Sequence, residues 1–193
     1  MSDSVIRISR ARATFAAELL AGCRSSLLTI TDLLDLEHEM AQSARRRSGD
    51  IGSPPDSTQT SKVVAAALYA GWIADALHRQ VAFFFELDRR NAGIFDAPLP
   101  PTDVPPQAPP EWPQPALPAP LDDVSNPLTG LTDAPSPRTG IAARMQEIGV
   151  DLDEATRAID YSQRVRFQAE ISGAAARLRD WVSLSARALG DEG

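Results

Sequence analysis

Lysine is nearly absent from this chain of 193 residues: Lys62 stands alone against eighteen arginines. With abundant alanine, that ratio reads as the codon bias of a GC-rich bacterial or phage genome and says nothing about mechanism. Cysteine is as scarce. A single Cys23 excludes an internal disulfide, fits a reducing cytoplasm and is expected to be a small buried thiol. Positive charge is not in excess: the net charge is -7 and the pI about 4.8. Binding to nucleic acid needs a basic face that neutralises phosphates, so no nucleic-acid partner is expected, and an anionic lipid surface is disfavoured for the same reason. No long apolar run is clean enough to span a bilayer. The most apolar one, Val63–Phe85, is interrupted by Asp75, His78, Arg79 and Gln80, which a membrane segment rarely tolerates. The N-terminus carries Arg7, Arg10 and Arg12 and lacks the unbroken apolar core of a secretory signal. It is expected to open the first helix. These absences together predict a cytoplasmic protein with no membrane contact. A Gly-rich phosphate loop, a Ser/His/Asp set and a Cys cluster are missing too, which leaves catalysis little to stand on.

What is present is ordinary for a folded domain: 43% hydrophobic and 23% charged residues. The apolar residues recur at helical spacing. They predict helices over Val5–Cys23, Ser26–Arg46 and Thr60–Asn91, a short one over Pro137–Ile148 and a last one from Asp151 to Leu189. Arg45, Arg46 and Arg47 place cations at the negative end of the second helix. Pro137 after Ser136 reads as a helix start. Gly149 reads as a stop, and Asp151–Glu154 as a capping box that opens the next helix. The first half of the Thr60–Asn91 helix is apolar almost all round and should be the most buried element. Long amphipathic helices bury their seams on one another. The expected fold is therefore all-α, a helical bundle of four long helices and one short helix, with an N-terminal region 1–93, a Pro-rich segment 94–136 and a C-terminal region 137–193 packed on the first.

Proline, by contrast, is concentrated. Eleven of the 25 residues in Ala97–Leu121, APLPPTDVPPQAPPEWPQPALPAPL, are proline. Proline lacks the amide donor and breaks helices, so this stretch is expected to be extended and irregular. It is also greasy: Leu99, Val104, Trp112, Leu117 and Leu121 stand among only two charges, Asp103 and Glu111. A solvated linker would be more polar. These five residues are the candidate contact set for a protein partner or a second copy of the chain. Trp112 is the natural anchor, because an aromatic ring in an aliphatic strip wants a pocket. A pre-stiffened strip loses little entropy on binding. The function expected is that of a non-enzymatic assembly or adaptor protein in a larger bacterial or phage complex, with no cofactor.

The alternative is a metal site. Both histidines follow an aspartate by three residues, in Asp35–His38 and Asp75–His78. Carboxylate-bridged di-metal bundles use an acid three residues before a histidine on each of two helices. Glu37 and Glu170 fall near the centres of apolar arcs, where a carboxylate needs a partner. Glu37, His38, His78 and Glu170 are thus the candidate ligands for a transition metal, in a bundle enzyme or carrier. Against them stands an acidic solvated face at Asp32, Asp35 and Glu39, and the metal motif uses Glu where this chain has Asp. The Ile141–Ile159 stretch looks like a helix-turn-helix, but its spacing is too long and its second helix opens with acids. Gly173–Ala176 would permit close helix approach.

Overall fold

The computed structural model describes the backbone of residues 10–49, 58–96, 137–160 and 166–191, and side chains within them for 11–49, 59–82, 140–159 and 171–189. Every element among these is an α-helix: α1 (Arg10–Ser48), α2 (Thr58–Asp96), α3 (Pro137–Asp160) and α4 (Arg166–Asp191). The four pack together into one core.

Each helix exists where its apolar residues recur in alternating steps of three and four. On α1 the buried seam is Ala13, Ala16, Leu20, Cys23, Leu27, Ile30 and Leu34. On α3 it is Ile141, Met145, Ile148, Leu152, Ala155 and Ile159. On α4, Ile171, Ala174, Leu178, Trp181 and Ser185 follow the same rhythm. The α2 seam is Val63, Ala66, Ala70, Ile73, Leu77 and Gln80. Beside it runs a second stripe of Ala65, Tyr69, Trp72 and Ala76, all buried except the half-buried Trp72. The wide burial of α2 is as expected from its composition.

Two expected helix breaks do not occur. The helices expected over Val5–Cys23 and Ser26–Arg46 are one element, α1, because the seam runs on in step from Leu20 to Cys23 and Leu27, with Gly22 exposed beside it. A mid-helix glycine costs about 1 kcal/mol relative to alanine. Burying one Leu or Ile contributes about 1.5–3 kcal/mol, so the seam wins. Ser25 adds a bond from its Oγ to the Ala21 carbonyl at 3.2 Å. Likewise the break expected at Gly149 is absent: α3 is one helix of 24 residues whose seam runs Met145, Ile148, Leu152 without a skip. Asp151, Asp153 and Glu154 are mid-helix residues, not a capping box, and no turn of a helix-turn-helix is present. The nearly forty-residue final helix is instead the 26-residue α4, with α3 described to Asp160 and α4 from Arg166. No separate short helix exists among the described residues, and α2 runs through Gly93 to Asp96.

The order of contacts gives the topology. Arg24 lies over Gly71, 3.0 Å from where a Cβ would sit, and eleven residues further along α1 Asp35 accepts from Thr60 at 3.2 Å, eleven residues back on α2. The two helices are antiparallel. Cys23 touches the Ile148 carbonyl, while Arg12 and Phe15 share a cleft with Asp153 and Arg157; α1 and α3 are antiparallel. Gly149 faces Val182 and Ser183, and Asp153 faces Arg179; α3 and α4 form an antiparallel hairpin. The fourth contact, α2 with α4, is the least extensive and closes the ring. All neighbours in the ring α1–α2–α4–α3 are therefore antiparallel, and α2 and α3 run the same way on opposite corners. The chain leaves α2 at one end of the bundle and enters α3 at the other.

The same registers set the heights. The start of α3 is level with Leu34, and the start of α2 with about Glu37. None of residues 35–49 is buried. Beyond Leu34, α1 continues as an extension that shows Leu36 (52% exposed) and Met40 (49%) to solvent. Gly49, at φ 71°, ends it in the left-handed conformation that glycine adopts freely.

Candidate functional site

An open cleft of about 920 Å³ lies over α3, between the N-terminal part of α1 and the C-terminal part of α4. Its apolar floor includes two surface residues, Phe15 (42% exposed) and Val150 (68%). Charges rim it. Asp153 is held by Arg157 one turn on and lies 3.6 Å from Arg179, and Arg12 and Arg187 complete the rim. Exposed ion pairs of this kind contribute little to stability. The cleft combines apolar contact area with salt-bridged edges, and Ser183 adds a hydroxyl to its lining.

The one thiol lies under the same part of α3 and is not reactive. Cys23 is fully buried and donates to the Ile148 carbonyl at 4.0 Å. Burial first, then the nearby Asp151 carboxylate, pushes the thiol up to about 12 from 9.0, against a smaller opposing pull from a backbone hydrogen bond. At neutral pH it stays protonated, and the thiolate needed for nucleophilic attack or metal binding is missing. This matches the small buried thiol that the sequence suggests.

The structure does not bring the candidate metal ligands together. Stepping from the Arg24–Gly71 contact, His78 is level with about Ala17, whereas His38 lies in the α1 extension. At 1.5 Å per residue the two rings are about 30 Å apart along the bundle axis. His78 is exposed. His38 is half-buried, and its Nε2 lies 2.8 Å from Gln42 Nε2. Glu37 is half-buried beside it, beyond the last core residue. Glu170 is in the first turns of α4, but its side chain is outside the described residues. Among the described residues no three His, Cys, Asp or Glu side chains are grouped closely enough to hold a metal ion. The candidate contact set Leu99, Val104, Trp112, Leu117 and Leu121 also lies outside the described residues.

Several features escaped the sequence reading. The second stripe on α2, at 65, 69, 72 and 76, has helical spacing in the sequence. Tyr69 and Trp72 stack, with centroids 5.9 Å apart and planes at 14°. Phe15 and Val150 come together only through the α1–α3 register, which no local pattern reveals. The Gly173–Ala176 run is core at Ala174 and Ala175, but a Cβ at Gly173 would meet nothing within 4 Å. No close approach within the chain depends on that glycine.

Compared with protein-family models, with curated proteins and with solved structures, the chain matches none. Among the described residues no helix is long and apolar enough to cross a membrane.

Proposed function

We propose that the chain is a non-enzymatic helical assembly or adaptor protein, a structural component of a larger bacterial or phage complex. Its Pro-rich segment contacts a protein partner or a neighbouring copy through Leu99, Val104, Trp112, Leu117 and Leu121. One observation carries this reading. The connection from Asp96 to Pro137 has to climb about 50 Å, the height between the end of α2 and the start of α3 at 1.5 Å per residue. Polyproline II rises about 3.1 Å per residue, so about sixteen residues would suffice. The chain spends forty. The surplus is apolar and pre-stiffened, which suits contact with another surface better than free solvation. The α1 extension, with Leu36 and Met40 exposed at one-turn spacing, adds a second apolar feature that a bundle standing alone does not use.

The test is to isolate tagged chain from its own cells and weigh the native complex. A mass well above the 20.8 kDa of the chain, lost on Trp112→Ala while the circular dichroism spectrum is unchanged, is expected. Isolation as a bare monomer in both forms would contradict the reading. So would a stoichiometric transition metal in the purified protein, which would point instead to a metal-binding bundle enzyme or carrier.

A further inference from the structure

Where the core ends, α1 carries apolar residues on a face that its own bundle leaves open. Leu33 is half-buried, and the exposed Leu36, Met40 and Ala44 follow it at steps of three and four. These four residues share one side of the helix. That side is distinct from the buried seam of Leu27, Ile30 and Leu34, and from the side on which Asp35 meets Thr60 of α2. A row of exposed charges, Asp32, Glu39 and Arg46, spaced by one heptad, runs along its edge. Charge is also split along the helix. Asp32, Asp35, Glu37 and Glu39 come first, and Arg45, Arg46 and Arg47 come last.

We propose that this face joins two copies of the chain as an antiparallel helix pair, in which Leu36 of each copy packs on Met40 of the other. Three observations select a second copy. The first is the pattern. Apolar residues at 33, 36 and 40 make the narrow seam of a two-helix contact, not the wider stripe of a helix inside a bundle. The second is the order of charge. With Leu36 on Met40, the two-fold axis is level with His38, and Asp32 of one copy stands within about 3 Å of the height of Arg46 of the other. Symmetry makes this match twice. A parallel pair would set acid against acid and arginine against arginine, and such flanking charges decide helix orientation. The third is room. Alpha-helix α3 starts level with Leu34 and α2 with about Glu37, so the described α2, α3 and α4 of the two copies fall on opposite sides of the axis. Glu39 lies near the axis and faces its own copy, a like-charge contact. The contact also uses fewer residues than the about 20–30 a side of a standard interface. The pair is therefore weak and forms at micromolar concentrations and above. It does not depend on the proposed function, because it uses α1 alone, whatever the Pro-rich segment meets.

Sedimentation equilibrium of the full chain, over a micromolar-to-millimolar series, tests it. The average mass should rise from the 20.8 kDa of the chain towards twice that value. A chain carrying both Leu36→Gln and Met40→Gln should stay monomeric throughout, with an unchanged circular dichroism spectrum. A monomeric wild-type chain at every concentration, or a variant that pairs as tightly as wild type, would overturn the proposal. Charge exchange tests the register. Asp32→Arg and Arg46→Asp should each weaken pairing about tenfold, and the two together should restore it; failure to restore would overturn the register. A spin label at the exposed Ser25 tests the direction. Antiparallel copies hold the two labels about 40 Å apart along the axis, and a separation under about 20 Å would mean a parallel pair and overturn the proposal. Trp112→Ala, the variant that tests the proposed function, should leave the whole mass series unchanged. Loss of pairing in that variant, with the Leu36/Met40 variant still paired, would place the contact in the Pro-rich segment instead.

Discussion

The two parts of α1 are continuous helix with different reasons to be helical. From Ala13 to Leu34 the helix is held by a buried seam that meets α2 on one side and α3 on the other. From Asp35 to Ser48 nothing is buried. That part is tied to α2 at its start, where Asp35 accepts from Thr60, and carries local bonds beyond it: Gln42 on His38 at 2.8 Å, Arg47 Nε donating to the Ser43 carbonyl at 3.2 Å, and Ser48 Oγ donating to the Arg45 carbonyl at 2.9 Å. Three arginines at the negative end of the helix dipole and a left-handed glycine finish it. Isolated helices of this length are marginal in water. The second part thus shows Leu36 and Met40 to solvent, whereas the first part buries its apolar residues in the core.

The sharpest way to break this comparison is to truncate one leucine in each part. Leu27→Ala should cost about 2–5 kcal/mol of global stability, the usual range for a fully buried leucine. Leu36→Ala should change it by less than about 0.5 kcal/mol. Thermal or urea unfolding of both variants measures this, and equal losses would mean that the extension belongs to the core. A smaller effect separates a glycine that ends a helix from one inside a helix. Gly49 has φ 71°, where a Cβ costs about 1–2 kcal/mol. Gly49→Ala should speed amide exchange over 36–48 and leave the melting temperature in place. Gly149 has room for a Cβ at ordinary contact, 3.8 Å from Ser183 Oγ and 3.9 Å from Val182 Cγ1. Gly149→Ala should stabilise the protein by about 0.5–1 kcal/mol. A loss instead would restore the break that the sequence suggested there.

What the sequence made legible is periodicity. The all-α class, the Leu27, Ile30 and Leu34 part of the α1 seam, the start of α3 at Pro137 and the unusual burial of α2 follow from apolar spacing and helix-start chemistry. Gly149 misled because a local breaker weighs about 1 kcal/mol, and several buried side chains in register outweigh it. The distance between His38 and His78 is illegible in the sequence for another reason. A helical wheel gives angle without height, so His38 and His78 could look convergent while standing about 30 Å apart. The ring order, and with it the long climb from α2 to α3, depends on which helices meet and in which direction. That information resides in pairs of residues far apart in the chain, such as Arg24 with Gly71 and Cys23 with Ile148.

The end of α2 and the start of α3 stand at opposite ends of the bundle. Electron–electron dipolar spectroscopy measures it directly, with spin labels introduced at the exposed positions Ala82, Ala143 and Arg157. Cys23, buried with its thiol pushed up to about 12, stays unlabelled. Ala82 and Arg157 are at nearly the same height, and Ala143 lies about 20 Å further along the axis. The 82–157 distance should therefore be clearly shorter than the 82–143 distance. The reverse order would put both helix ends together and remove the need for any segment to traverse the bundle.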